Sequence, residues 1–542
     1  MSLPAVRPFG DRGILVEFAE ELSADTNGRA RALARQMRAV PGVLETVPAL
    51  RSALLIIDPL HADRAAIAGA AADLANRLSP DAGGTGRSVE IPVVYGGEAG
   101  PDLDEVADAS DLLAREVIDL HASPEYTVFM LGFAAGFPYM GLLTERLRAS
   151  RLQTPRLRVR AGSVAIAGRL TGIYPLQTPG GWRLLGRTPR AIYDPREPDP
   201  ILFRPGDRVR FTQVTSAQFQ DDPIAASPMM PPHPVFEVIE PGLFTTVQDL
   251  GRHGYRSLGM PGAGAMDRDA LRLANILVGN APAAPALECT APGPVLRALD
   301  ERMIAVTGAD LTLTLDGTEV ELWRPVRVRA GQVIRFGAPR RGMWAYLAPE
   351  GGIDAKMMLA SASAYVPGGI GRRLGRGDIL GAGPRTGRPL DQPPASDLIR
   401  VPTDEVTVRA IPGPQEMWFP ADGVEKFFLS TFRVTVQTDR AGIRLEGKAV
   451  SRDPREMLSD GLLPGAVQVP PDGQPIVIMA DGPTTGGYPK IGVVATVDLP
   501  LLAQARPGTR VRFEAATVDA AVDALRTREA LFEELPQKGR TD

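Results

Sequence analysis

A short string recurs three times in this 542-residue chain and restricts what it can fold into. Pro205–Phe211 reads PGDRVRF, Ala330–Phe336 reads AGQVIRF and Pro507–Phe513 reads PGTRVRF. A Gly turn followed by alternating apolar and charged residues starts a half-buried strand. Two further elements precede the first and last copies in the same order. AGSVAI at Ala161–Ile166 is echoed by PGAVQV at Pro464–Val469, and Gly180-Gly181-Trp182 by Gly486-Gly487-Tyr488. One such element recurs by chance in β proteins. Elements in matching order imply related β-rich units, of which the middle one keeps only the last element.

Around these units the periodicity changes. Residues 13–95 read strand, helix (Ala24–Val40), two strands (Leu44–Val47, Leu54–Ile57), helix (Ala62–Leu78), strand (Val89–Val94). That β-α-β-β-α-β order is the split, ferredoxin-like pattern. Residues 102–122 look helical, and short strands follow to Val214. Asp221–Pro234 is Pro-rich and reads as a linker. Leu311–Leu322 alternates on both sides of Asp316-Gly317, a hairpin signal. Leu390–Pro402 is a second polar joint, and the tail after Ala516 is helical. The expected architecture is mainly β with an α+β cap: a ferredoxin-like cap at 1–88, a barrel at 89–220, a linker at 221–234, a second barrel at 235–395 and a third at 396–542 ending in a helix.

Composition closes off several classes. Sixty Lys and Arg against 64 Asp and Glu leave a net charge of −4, so neither nucleic acid nor an anionic membrane is an expected partner. No apolar run approaches the ~18 residues of a membrane span. One cysteine, Cys289, rules out an internal disulfide and the thiolate-rich zinc sites. With a charged N-terminus in place of a signal peptide, the expected location is cytoplasmic.

Few standard catalytic patterns occur in the sequence. The histidines His61, His121, His233 and His253 share no i, i+3 or i, i+4 spacing, and no metal site is expected. His121 closes a helix, where capping or packing outweighs chemistry, though acid–base use stays open. There is no nucleophile elbow. Gly442–Ala449 (GIRLEGKA) lacks the hydroxyl of a P-loop and alternates like a strand. No lysine has the setting of a biotin attachment site.

What remains is a set of Gly-rich polar clusters, where bare backbone can approach a ligand. LGFAAGFPYMG contributes Phe137 and Tyr139, and AGSVAI contributes Gly162 and Ser163. QTPGGWRLLGRT contributes Gly180, Gly181, Trp182 and Arg187. VQDLGRHGYR and GAGAMDR carry Gln248, Asp249, Arg252 and Asp267. TDRAGIRL carries Arg440, and PGAVQV carries Gln468. ADGPTTGGYPK carries Asp481, Thr484, Thr485, Gly486, Gly487 and Tyr488.

The strings GFAAGFPYMG, PRLRVRAGSVAIAG, TGIYPLQTPGGWRLLGRTP and PGDRVRF resemble the B subunit of 5-oxoprolinase, the family once called allophanate hydrolase subunit 1 and related to Kip-type sporulation kinase inhibitors. From Phe236 on, PGLFTTVQDLGRHGY, GAMDRDALRLANILVGN, GPQE, TDRAGIRLEGK, PGAVQVPPDGQP and ADGPTTGGYPKI resemble the C subunit of 5-oxoprolinase, or allophanate hydrolase subunit 2. The same pair forms the carboxyltransferase part of urea carboxylase. The resemblance implies cyclophilin-like β-barrels. It also implies ATP-dependent opening of 5-oxoproline to glutamate, with ATP and magnesium and a separate A subunit as partner. In that reaction Arg187, Arg252 or Arg440 would bind the substrate carboxylate or a phosphoryl group. The alternatives it implies are carboxyl transfer from carboxybiotin to urea or a guanidine, on a partner biotin carboxylase and carrier, and a Kip-type regulatory binding role. Asp249, Asp267 and Asp481 are the candidate bases, with His121 beside them, and a homo-oligomer is possible. The chain departs from the family at Ala135 (usually Pro), at Pro483 (often Gln) and at Leu359–Tyr365, which lacks the usual Arg.

Overall fold

A computed structural model of the chain describes residues 4–18, 21–79, 86–147, 149–219, 230–385 and 387–535. The N-terminal unit is a four-stranded antiparallel sheet in the order Ala5–Phe9, Gly13–Glu17, Ser52–Ile57, Val43–Pro48. Helices Ala24–Met37 and Arg64–Arg77 cover one face, and each starts at a side-chain cap, Ser23 on Thr26 N and Asp63 on Ala66 N. The sixth element of the expected pattern does not join this sheet. Ser88–Tyr95 leaves it to open the first barrel, and the edge position is taken by Ala5–Phe9, where Pro8 needs no ladder donor.

Ser52–Ile57 (SALLII) is buried along its whole length because the sheet is covered on both sides. Ala53, Leu55 and Ile57 face the helices. Leu54 and Ile56 pack instead on Leu462, Leu463, Ile478 and Val493 of the last unit. The cap therefore docks on the barrel most distant from it in sequence.

Two closed seven-stranded barrels hold the repeat. The first runs, in spatial order, Ser88–Tyr95, Arg183–Arg187, Ser163–Ala167, Leu170–Ile173, Pro138–Gly141, Glu125–Leu131, Arg208–Gln213. The second runs Glu405–Pro412, Lys490–Val494, Ala466–Gln468, Ile476–Ile478, Gly442–Glu446, Thr431–Val434, Arg510–Ala515. In both, the strand of the PG-x-R-V-R-F string lies parallel to the first strand and antiparallel to its other neighbour. The GG-aromatic strings also match: Thr178–Gly180 pairs with Arg156–Val159, and Thr485–Gly486 pairs with Asp460–Gly461.

The middle unit departs from the expected barrel. Its strands form a seven-stranded and a five-stranded sheet, with an apolar core that includes Phe236, Leu287, Cys289 and Leu347. AGQVIRF does not occupy the repeat position here: Val333–Arg335 is antiparallel to both of its neighbours. What the three strings share is the turn, where Gly206, Gly331 and Gly508 have φ of +100°, +90° and +94°. The Asp316-Gly317 hairpin is present, with both residues at positive φ, between two-residue strands. The helix expected over 102–122 is two, Leu103–Ala109 and Ala114–Ala122, broken at Asp111 (φ +53°). The tail helix is Val518–Glu533. Residues 221–229 of the linker, and 80–85 ahead of the first barrel, lie outside the described residues. No helix among the described residues is long and apolar enough to cross a membrane.

Candidate functional site

Three loops, one from each large unit, meet at a single junction. The GFAAGF loop leaves the first barrel after Leu131, and its Phe133 N donates to Thr485 Oγ1 of the second barrel at 3.3 Å. Gly132 is so close to Thr485 that a Cβ there would stand 1.9 Å from the hydroxyl oxygen. The middle unit's 255–264 loop touches both. Gly136 N donates to Leu258 O at 3.0 Å, and Ala263 N donates to Ala480 O at 3.1 Å.

One wall of this junction is aromatic. Phe137 stands edge-on to Tyr139, Tyr174 and Trp182, with ring centroids 5.0, 5.2 and 5.4 Å away. Gly180 leaves room for Tyr174, whose hydroxyl would be 2.3 Å from a Cβ. The Tyr139 hydroxyl bonds Ser459 of the second barrel, and burial pushes its pKa up to about 12. Phe133 and Tyr488 stay partly open, at 43% and 42% exposure. Gly487 packs near Met457 O and Ser459, while Gln468 Nε2 donates to Tyr488 O. Phe137, Tyr139, Gly180, Gly181, Trp182, Thr485, Gly486, Gly487 and Tyr488 thus belong to two facing glycine-rich loops and the elements beside them.

Gly162, Ser163 and Arg187 do not join them. Their backbones lock adjacent strands (Thr188 N to Gly162 O, Tyr174 N to Ser163 O), and Arg187 Nε donates to Ala161 O at 2.8 Å.

Beneath the junction lies a charged layer. Arg440 grips Asp481 through Nε and Nη2, each at 2.9 Å, reaches Glu288 through Nη1, and donates to Gly264 O at 2.7 Å. Glu288 has no exposed surface and also accepts from Met266 N and Tyr346 Oη. Asp249 accepts from Ser361 Oγ, Ser363 Oγ, Gly251 N and Ala362 N. Asp267 caps the helix Arg268–Leu277 and takes Gln504 Nε2, and burial, with Asp269 nearby, pushes its carboxyl up to about 7. All three candidate bases are therefore committed to holding structure, with both oxygens of each already accepting.

Of the three candidate arginines, Arg252 has donors to spare. It is 2% exposed, its Nη2 goes to Ser363 O, and its Nε and Nη1 have no acceptor. Burial pushes its pKa below the ordinary arginine value. Gln248 Oε1 and Thr484 Oγ1 are likewise buried without a partner.

His121 is occupied by packing. Its side chain is fully buried in the first barrel, between Tyr95 Oη and Thr171 Oγ1 at 2.8 Å each. Thr171 spends its proton on Ala165 O, so Nε2 carries the hydrogen and Nδ1 accepts from Tyr95. The ring lies 4.6 Å from Phe211. In the second barrel Phe427 stands in the same way against Phe513, at 4.5 Å. His121 is thus the first barrel's version of a core phenylalanine. Burial pushes its pKa down to about 3. Below about pH 6.5 the unfolded chain takes up a proton that the folded chain refuses, so stability falls with pH until about 3. His121→Phe is expected to flatten the urea-unfolding stability between pH 6 and 4, by up to about 1.4 kcal/mol per pH unit relative to wild type. Equal slopes would refute this placement.

Sequence reasoning missed Glu288, Asp460, Lys490 and Gln415. The last three form one buried cluster, with Gln415 Nε2 3.1 Å and Lys490 Nζ 3.7 Å from Asp460. Glu288 had a signal, a single carboxylate inside the apolar strand ALECT. Lys490 and Gln415 lie in the strings ADGPTTGGYPKI and GPQE, which carried no assigned role.

Two family models match this chain. "Carboxyltransferase domain, subdomain C and D" covers residues 4–203, and "Carboxyltransferase domain, subdomain A and B" covers residues 258–515. The C subunit of 5-oxoprolinase from Escherichia coli (strain K12) is 38% identical over 56% of this chain and 97% of that protein. The B subunit of 5-oxoprolinase from Bacillus subtilis (strain 168) is 40% identical over 40% of this chain and 94% of that protein. The crystal structure of TTHA0988 is 40% identical and superposes with a TM-score of 0.82, covering 93% of this chain and 99% of that one.

Proposed function

This chain belongs to the carboxyltransferase-domain family, a part like the B subunit of 5-oxoprolinase joined to a part like the C subunit, and from that premise we propose that it is the fused B–C component of an ATP-dependent 5-oxoprolinase working with a separate A subunit. The observation that supports this reading is the contact between the GFAAGF and TTGGY loops, and in this reading the glycine-rich, aromatic-flanked junction of the B-like and C-like parts is the substrate cleft.

A five-membered lactam resists water because its amide is resonance-stabilised. Transfer of the terminal phosphoryl group of ATP to the amide oxygen turns that oxygen into a leaving group. Water then adds at the carbon, the C–N bond breaks as the ring nitrogen takes a proton, and a second water hydrolyses the resulting glutamyl phosphate to glutamate and phosphate. The chain's contribution in this reading is placement. Phe133 and Tyr488, the partly exposed rings of the junction, offer an apolar face to a small ring. Arg252 is the guanidinium with donors left for the substrate carboxylate or a phosphoryl oxygen. Its Nη2 is held by Ser363 O, which leaves Nε and Nη1 for that role. The P-loop-like string is the barrel strand Gly442–Glu446 and takes no part. No group of three or more His, Cys, Asp or Glu among the described residues is placed to hold a metal, and magnesium in this reading arrives with the nucleotide.

The test is phosphate release by the full chain with ATP and the A subunit. Addition of 5-oxoproline is expected to stimulate it, with glutamate as product. No stimulation, with urea- or guanidine-dependent turnover on adding biotin carboxylase and a biotinylated carrier, would replace this reading with carboxyl transfer, which the family description keeps as the second one.

A further inference from the structure

Three polar side chains of the N-terminal cap are buried, and each reaches into a different unit around the cleft. Asn27, with no exposed surface, donates from Nδ2 to Phe129 O at 3.2 Å, on the strand that leads into the GFAAGF loop. Glu45, 6% exposed, accepts from Arg256 N at 3.0 Å and so holds the middle unit's 255–264 loop. Ser52, 1% exposed, hydrogen-bonds Asp460 of the second barrel.

Asp460 is a hub. Besides Ser52 it takes Gln415 from the GPQE string and faces Lys490 from the GGYPK string. Its own backbone pairs with Gly486, and Gly461 pairs with Thr485, the residue that meets Phe133. A continuous set of contacts therefore runs from the cap through Ser52 and Asp460 to the TTGG loop and across the cleft. The apolar seam of Leu54 and Ile56 against Leu462 and Val493 fixes the cap in place but gives no register, since such contacts are non-directional. The three hydrogen bonds supply the direction.

We propose that the cap is the positioning element of the cleft, with Asn27, Glu45 and Ser52 each setting one of its three loops and Ser52–Asp460 setting the TTGG loop. This rests on the cleft being the functional site. The cap residues touch no substrate in this arrangement; they act through Phe129, Arg256 and Asp460.

Hydrogen exchange on the full chain tests it without any turnover assay. Asp460→Asn strands the buried Lys490 and risks unfolding, so Ser52→Ala and Glu45→Ala are the variants of choice. Ser52→Ala is expected to speed exchange about tenfold over residues 484–487 and at Leu462 N, as loss of one hydrogen bond to a charged group would. Strands Glu405–Pro412 and Arg510–Ala515 are expected to stay as in wild type. Glu45→Ala is expected to loosen residues 255–260 and leave 484–487 alone. Unchanged loops, or a rise spread evenly over the whole barrel in both variants, would overturn the proposal. With ATP and the A subunit, Ser52→Ala is expected to raise the KM for 5-oxoproline severalfold. Absence of 5-oxoproline-stimulated turnover in wild type would sink the functional reading, while the exchange pattern would still decide the role of the cap.

Discussion

Arg440→Met is expected to lower the free energy of unfolding by about 3–5 kcal/mol, the cost of removing one partner from a buried ion pair. Arg440 is 4% exposed, and its guanidinium ties two carboxylates from different units, Asp481 of the second barrel and Glu288 of the middle one. Methionine fills the space and supplies no donor. Asp481, 7% exposed, can gain some water, but Glu288 has no exposed surface and keeps only Met266 N and Tyr346 Oη. Burial already raises the Glu288 pKa, and loss of the cation raises it further. A carboxyl whose folded pKa is raised costs stability above its unfolded pKa, and the cost shrinks as pH falls. The deficit of Arg440→Met is therefore expected to be larger at pH 8 than at pH 5, and Glu288→Gln in the same chain is expected to recover part of it. Urea unfolding at the two pH values checks this. A loss under about 1 kcal/mol at pH 8 would mean that the network contributes little.

The repeat was readable because turn chemistry is local. A left-handed glycine ahead of an alternating strand leaves the same mark wherever it occurs, and the order of three marks located both closed barrels. The same locality explains the middle unit. Ala330–Phe336 carries the turn, but whether its strand finds a parallel neighbour depends on pairing with residues far away in sequence, which the string does not encode. Strand Ser52–Ile57 did hold a clue. An unbroken apolar run means burial on both faces, yet nothing in SALLII says that the second face belongs to a barrel some four hundred residues later.

The candidate site divides along the same line. Glycine beside aromatic residues marked the two loops that meet, because close backbone approach demands glycine. The aspartates were harder. Asp249 looks like a base until Ser361 and Ser363, over a hundred residues away, fill its lone pairs. His121, at a helix end where packing is the weightier reading, takes the place in the first barrel that Phe427 takes in the second. A side chain's role depends on which of its polar atoms are already satisfied, and that is a property of the folded neighbourhood.

Gly132→Ala is expected to reduce 5-oxoproline-stimulated ATP hydrolysis about 100-fold, the scale of a misplacement near 1 Å. The added methyl carbon would lie 1.9 Å from Thr485 Oγ1 and 2.9 Å from both Thr485 Cβ and Cγ2. Rotation of the threonine cannot relieve this, since Cβ does not move with χ1 and the hydroxyl is the acceptor for Phe133 N. The loops must part instead, and the parting separates the two sides of the proposed site. Overpacking of this kind costs about 1–3 kcal/mol, too little to unfold barrels closed on their own cores. Turnover is therefore expected to fall far more than the unfolding midpoint, and Thr485→Gly in the Gly132→Ala chain, which removes every clashing atom, is expected to restore part of the activity. Thr485→Gly alone leaves Phe133 N without its acceptor and is expected to lose less than Gly132→Ala. Wild-type turnover in Gly132→Ala would show that the distance between the two loops is irrelevant to the reaction, and the shared cleft would then have no catalytic meaning.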